Sequence, residues 1–200
     1  MSTRPKNIVF PGANWESARP AEAGMNASML EKAERWFAGA MGENGGRLVI
    51  VRDGRVVLEQ YHLMREDEKL AIASAVKSIY SNVLGIIVDE GGLKSVDEPV
   101  VDYYPEMMDV KEGEGNKPGR YAFPANRGIT FRHLITNTSG YMKPGEEPGK
   151  VFNYQSWGMN VLTHAVAKIY GLYDVNDPER FPGFKQLIKE KFADKIGANW

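Results

Sequence analysis

The sequence predicts a mixed α/β (α+β) chain, and three observations carry that prediction. "RLVIVRDGRVVLEQYHL" sets two β-branched runs around Asp53-Gly54, the pairing of strand and turn residues that closes a tight antiparallel ribbon. Five or six other segments repeat apolar residues at helical spacing. Pro- and Gly-rich stretches punctuate the gaps between them.

Residues 1–25, rich in Pro, Gly and Ala, read as an extended arm. Asn26 or Ser28 caps a helix with Leu30, Ala33, Phe37 and Ala40 on one face, and Gly42 to Gly46 ends it. The hairpin follows. An isolated two-stranded ribbon is marginal in water, yet Val49, Val51, Val56 and Leu58 suit a larger sheet. The sheet is therefore expected to be incomplete in this chain, with further strands beyond residue 200. A helix then opens at Ser74, with Ile79, Val83, Leu84, Ile86, Ile87 and Val88 so dense that burial on nearly all sides is expected, and it stops at Gly91-Gly92. "LKSVDEPVVDYYPEM" is a short connection leading to a small helix, and "GEGNKPGRYAFPANRG" is a polar loop. Thr130 caps "FRHLITNT", which closes at Ser139-Gly140, and "KPGEEPGK" is another loop. In "VFNYQSWGMNVLTHAVAKIYG", Gly158, Val161, Leu162, Ala165, Val166 and Ile169 share a helical face. A last helix covers about 184–192. The expected organisation is arm, first helix, hairpin and Ser74 helix over 1–92, and a helical part over 93–200.

A composition of 42% hydrophobic and 26% charged residues is that of a globular chain. With a net charge of −1, no global field attracts nucleic acid or an anionic membrane. No stretch approaches the roughly 18 apolar residues of a membrane span, and the N-terminus carries no apolar leader segment. Cytoplasmic residence is the default expectation, with a periplasmic or secreted location open. The absence of cysteine rules out disulfides, thiolate metal ligands and Cys nucleophiles. There is no G-x-S-x-G elbow, Walker loop, G-x-G-x-x-G or His pair at metal-ligand spacing. His62, His133 and His164 stand far apart and read as structural or surface residues.

Ser74 and Lys77 fall one helical turn apart on one face. A hydroxyl is a poor nucleophile until a base takes its proton, and a partly buried amine can be that base because burial disfavours the ammonium. A helix N-terminus adds N–H groups where an oxyanion develops. Acyl transfer fits this geometry. The plainer reading makes Ser74 a helix cap and Lys77 a snorkelling side chain, since nine Ser and fourteen Lys give roughly 0.6 such tetrads by chance.

The surroundings add to the tetrad. "SAVKSIYSNVLGIIVDEGGLKSVDEPVVDYYPEM", "GITFRHLITNTSGY" and "VFNYQSWGMNVLTHAVAKIYG" resemble, in order and spacing, the serine β-lactamase-like family of class C β-lactamases, DD-peptidases, related esterases and 6-aminohexanoate-dimer hydrolases. The resemblance implies a β-lactamase/transpeptidase-like fold, with a sheet-plus-helix part and an all-helical part. It also implies that Ser74 is the acylated nucleophile, Lys77 its proton partner, and Tyr154 of Tyr154-Gln155-Ser156 the shared acid/base. Ser156 and Trp157 would then meet the substrate, a small ester or amide. No metal or organic cofactor is implied. Tyr154 has a plainer reading as an aromatic packing ahead of its helix, and Trp157, Tyr141 and Phe152 either line an aromatic cleft or belong to the core.

Three departures matter. Ser156 stands where β-lactamases and DD-peptidases have Asn, which favours an amidase or esterase over β-lactam cleavage. Asn137 stands where the family often has His, in a segment read as structural. The family's last motif, Lys or His followed two residues on by Gly on a sheet strand, falls on no strand expected here; it is expected beyond residue 200, and with it a second oxyanion donor. Two further readings stay open: a catalytically silent binding protein of the same fold, or a fragment completed by self-association or by a C-terminal partner segment.

Overall fold

The computed structural model describes residues 8–198. Residues 1–7 of the expected arm and the final two residues, 199–200, lie outside the described residues. The chain divides into two compact units, 1–71 and 72–200. By this division the helix carrying Lys77 belongs with the residues downstream of it.

In the first unit, helix α1 (Ala27–Met41) starts at Asn26, whose side chain accepts from the Met29 N–H at 3.2 Å. Of the two caps the sequence allowed, Asn26 is the one used. Gly42 at φ 57° ends the helix. Strands β1 (Gly46–Arg52) and β2 (Arg55–His62) form the hairpin, with Gly46 opposite His62 and a bulge between Ile50 and Val51. Asp53 at φ 51° and Gly54 at φ 79° make the turn left-handed at both central residues, which Asp and Gly tolerate best. The arm runs beside β2 at Ser17, where Val56 donates to Glu16 and accepts from Ala18. Helix α1 packs on the hairpin through Leu30 and Phe37. The sheet stays open at two strands among the described residues, leaving Val49 and Val51 each 44% exposed.

The second unit is built around helix α4 (Ser156–Ile169). Its buried face carries Gly158, Val161, Leu162, Ala165 and Val166, with Ile169 half-buried. It packs against helices α2 (Lys77–Asp89), α3 (Phe131–Ile135) and α5 (Phe184–Leu187). Their contributions to the core include Val83, Ile87, Phe131, Leu134 and Leu187. Beyond α5 the chain continues as a π-helical turn over Ile188–Ala193. Thr130 caps α3 in a reciprocal box: its hydroxyl accepts from the His133 N–H, and His133 Nδ1 accepts from the Thr130 N–H, both at 3.3 Å. Arg132 clamps the connection before α3 through a two-pronged bond to Asp97 at 2.6 and 2.9 Å.

One expectation is corrected. Helix α2 is not buried on nearly all sides: Ser78, Ser81, Asn82, Gly85 and Asp89 form an exposed strip opposite Val83, Leu84 and Ile87. Small and polar residues at i, i+3, i+4 and i+7 are an amphipathic pattern. The dense apolar residues between them obscured it.

Replacing Leu162, which is fully buried, with Ala should lower unfolding free energy by about 2–5 kcal/mol. Asn160→Ala, on the exposed side of the same helix, should stay within about 0.5 kcal/mol. Urea midpoints at constant slope check both, and equal shifts would contradict the placement of this core.

Candidate active site

Ser74 lies in a short 3-10 turn, Ala73–Val76, that leads directly into α2. Ala73, just before it, adopts φ 43°, a left-handed conformation costing a residue with a β carbon on the order of 1–3 kcal/mol. Such strain persists only where the surroundings impose it. At the end of this turn Lys77 Nζ donates to Ser74 Oγ at 2.7 Å. Lys77 is half-buried, and Ser74 is open to solvent.

Tyr154 arrives from the extended segment ahead of α4. The neighbouring Ser74 hydroxyl and Lys77 amine, by hydrogen bonding and by the charge on Lys77, hold its phenol below the ordinary pKa. Lys77 Nζ also lies 5.5 Å from the centre of the Tyr154 ring, within reach of a cation–π contact. A phenol from eighty residues downstream of the hydroxyl is therefore brought beside it and the amine. The ring remains 54% exposed, so the three groups meet at an open surface of the second unit.

Asn137 fixes the phenol's position. Its backbone carbonyl accepts from Asn153 N–H at 2.8 Å, and its side-chain oxygen accepts from Gln155 N–H at 3.3 Å. Both neighbours of Tyr154 are thus tied to one residue. Asn137 itself sits at φ 56°, a conformation Asn tolerates better than most residues. Gln155 adds a bond from its side chain to buried Ser139 Oγ at 3.3 Å. Gly140 at φ 60° closes the turn, where any β carbon would fall 2.1 Å from the Glu146 carbonyl oxygen. Asn137 was read from sequence as merely structural. Its signal was an Asn at a left-handed turn position ahead of Thr-Ser-Gly.

Ser156 and Trp157 begin α4 and, with Tyr154, line a cavity of about 340 Å³. Tyr141 lines it too while belonging to the core: it donates to the Met107 carbonyl at 2.7 Å, and burial, aided by the charge of Asp109, pushes its phenol up to about 12. Phe152 points elsewhere, exposed and apart from this cavity. Of the histidines, His133 serves its capping box. His164 is stacked on Tyr173 at 4.2 Å, and burial lowers its pKa.

A serine hydroxyl bonded to a lysine one turn on thus lies beside a tyrosine from a separate helix start. The comparison with known families agrees: residues 33–199 match the beta-lactamase family, and the chain belongs to it. The fold is correspondingly β-lactamase/transpeptidase-like. Over 86% of its length it is similar to a Bacteroides dorei protein classed with the beta-lactamases, with TM-score 0.63 and 22% identity, and it covers 52% of that chain. Over 85% it is similar to the octameric penicillin-binding protein homologue of Pyrococcus abyssi, with TM-score 0.59, 21% identity and 43% of that chain covered. It is 41% identical over 83 residues, 40% of its length, to acyltransferase calJ of Penicillium decumbens, of which it covers 19%. The chain thus spans about half or less of the length of these relatives. Among the described residues no helix is long and apolar enough to cross a membrane.

Spectroscopic titration tests the electrostatics. Subtracting the profile of Tyr154→Phe from that of the parent should isolate a phenol that ionises below the usual value of 10.0. In Lys77→Met, which removes the positive charge, that phenol should titrate higher. Identical profiles would remove the ammonium from the account.

Proposed function

We propose that this chain carries the nucleophile of a serine hydrolase that cleaves a small ester or amide through an acyl-enzyme on Ser74. The observation that carries the reading is the 2.7 Å bond from Lys77 Nζ to Ser74 Oγ, with Tyr154 near enough for both groups to lower its phenol.

Lys77 donates in this arrangement, so the proton of Ser74 needs another acceptor. Tyr154, held toward its phenolate by Ser74 and Lys77, is that acceptor. As Ser74 Oγ attacks the carbonyl carbon, its proton passes to Tyr154. When the tetrahedral intermediate collapses, Tyr154 returns the proton to the departing alcohol or amine. Water then attacks the acyl group through the same two proton transfers and frees Ser74. Backbone N–H groups at the helix start stabilise the oxyanion from one side.

Ser156 in place of Asn favours a simple ester or linear amide over a β-lactam. A second reading has the acyl group pass to an alcohol or amine rather than to water. It is favoured by the 41% identity to an acyltransferase and by the open face at Ser74.

Incubation with a fluorophosphonate should add one adduct to the intact mass, mapped to Ser74 and absent from Ser74→Ala. With a para-nitrophenyl ester, Tyr154→Phe and Lys77→Met should each cost about 10²–10⁴-fold in kcat while circular dichroism stays unchanged. Ser74→Ala retaining parental turnover would end the scheme. Adding a primary alcohol and following ester exchange against free acid separates transfer from hydrolysis.

A further inference from the structure

Asn137 grips the segment that delivers Tyr154 by its backbone; Glu146 grips the same segment by a side chain. Asn153, the residue before Tyr154, donates from Nδ2 to Glu146 Oε1 at 3.1 Å and to Oε2 at 3.5 Å. On its other side Glu146 faces Lys143, whose Nζ lies 3.6 Å from Oε2. Lys143 is only 6% exposed, and its ammonium is buried without a hydrogen-bond partner. A buried ammonium is costly unless an opposite charge meets it, and the Glu146 carboxylate supplies that charge. One carboxylate thus answers to a buried cation and to the neighbour of the phenol.

The turn that carries both charges is held at several points. Glu146 N–H donates to the Lys143 carbonyl and Lys143 N–H to the Gly140 carbonyl, each at 3.0 Å. Met142, one residue before Lys143, takes φ 56°, and its N–H donates to the side chain of buried Asn126 at 3.2 Å. Further on, Gly149 N–H donates to the Thr138 carbonyl at 2.8 Å. The direction of the carboxylate is therefore set by this turn and by the cation beneath it, and the Asn153 side chain takes its place from the carboxylate.

We infer that Glu146 is a positioning residue for Tyr154, oriented by buried Lys143 and acting through the side chain of Asn153. The route is one residue long: a shift of Asn153 shifts the backbone from which the phenol projects toward Ser74 and Lys77. A displacement of about 1 Å at a reacting group can cost about 10²-fold in rate, so a strut this close to the phenol bears on turnover. That effect on turnover rests on the hydrolase reading; the placement of the phenol does not.

Two variants break the strut in different ways. Asn153→Leu removes the donor and keeps the ion pair. Lys143→Met combined with Glu146→Leu removes the acceptor and the buried cation together, an exchange that often leaves stability level or raises it. In both, the Tyr154 phenol, isolated by subtracting the profile of the matching Tyr154→Phe chain, should titrate closer to 10.0 than in the parent. With a para-nitrophenyl ester, kcat should fall about tenfold or more while KM changes little. Leu187→Ala, a core change in α5, should lower the urea midpoint and leave the phenol where it is. An unmoved phenol in either strut variant, or an equal move in Leu187→Ala, overturns the positioning role. If the double variant fails to fold, Asn153→Leu decides alone. A moved phenol with unchanged kcat overturns the part of Tyr154 in the reaction and leaves the strut standing. A parent without turnover defeats the hydrolase reading, and the titration still decides what places the phenol.

Discussion

Lys77 reaches the Ser74 hydroxyl across a single turn of backbone, a contact that local geometry alone provides. An ammonium beside a hydroxyl does not make a nucleophile, because the ammonium has no lone pair to receive a proton. The site depends on a third group arriving from elsewhere in the chain, and Asn137 holds it there. By accepting from the backbone on both sides of Tyr154, Asn137 fixes the segment from which the phenol projects. The left-handed turn at Asn137, the Ser139–Gln155 bond and the tight passage at Gly140 support that one constraint.

The electrostatics follow from the same placement. Phenol, hydroxyl and amine share hydrogen bonds at a surface, and the phenol is lowered by its two partners and the positive charge. Its downward shift owes nothing to burial, which works against a phenolate. Lys143 adds a second electrostatic feature: its ammonium is buried without a hydrogen-bond partner, with Glu146 at 3.6 Å.

Much of the fold was legible from sequence because it is written in short-range patterns. Asp53-Gly54 flanked by β-branched residues sets the hairpin; Asn26 and Thr130 set helix starts; the 3.6-residue period from Gly158 to Val166 sets the buried face of α4. Helix α2 shows the limit of this reading. Its apolar residues suggested burial on nearly every side, yet Ser78, Ser81 and Gly85 leave an exposed strip. Counting apolar residues measures average hydrophobicity, whereas burial follows their direction around the helix axis.

Sequence alone determined the pairing of Ser74 with Lys77, since a spacing of three within a helix places two side chains on one face whatever the rest of the chain does. The motif order also pointed to Tyr154, but order carries no distance. Only the tertiary structure decided that Asn137 grips both neighbours of that tyrosine, and that Lys143, in a Lys-Pro-Gly stretch resembling any solvated loop, has its ammonium buried. The reason is physical. Helix and turn preferences are set by neighbours within a few residues, while the burial of a charge and the meeting of distant groups depend on how separate segments fill space together.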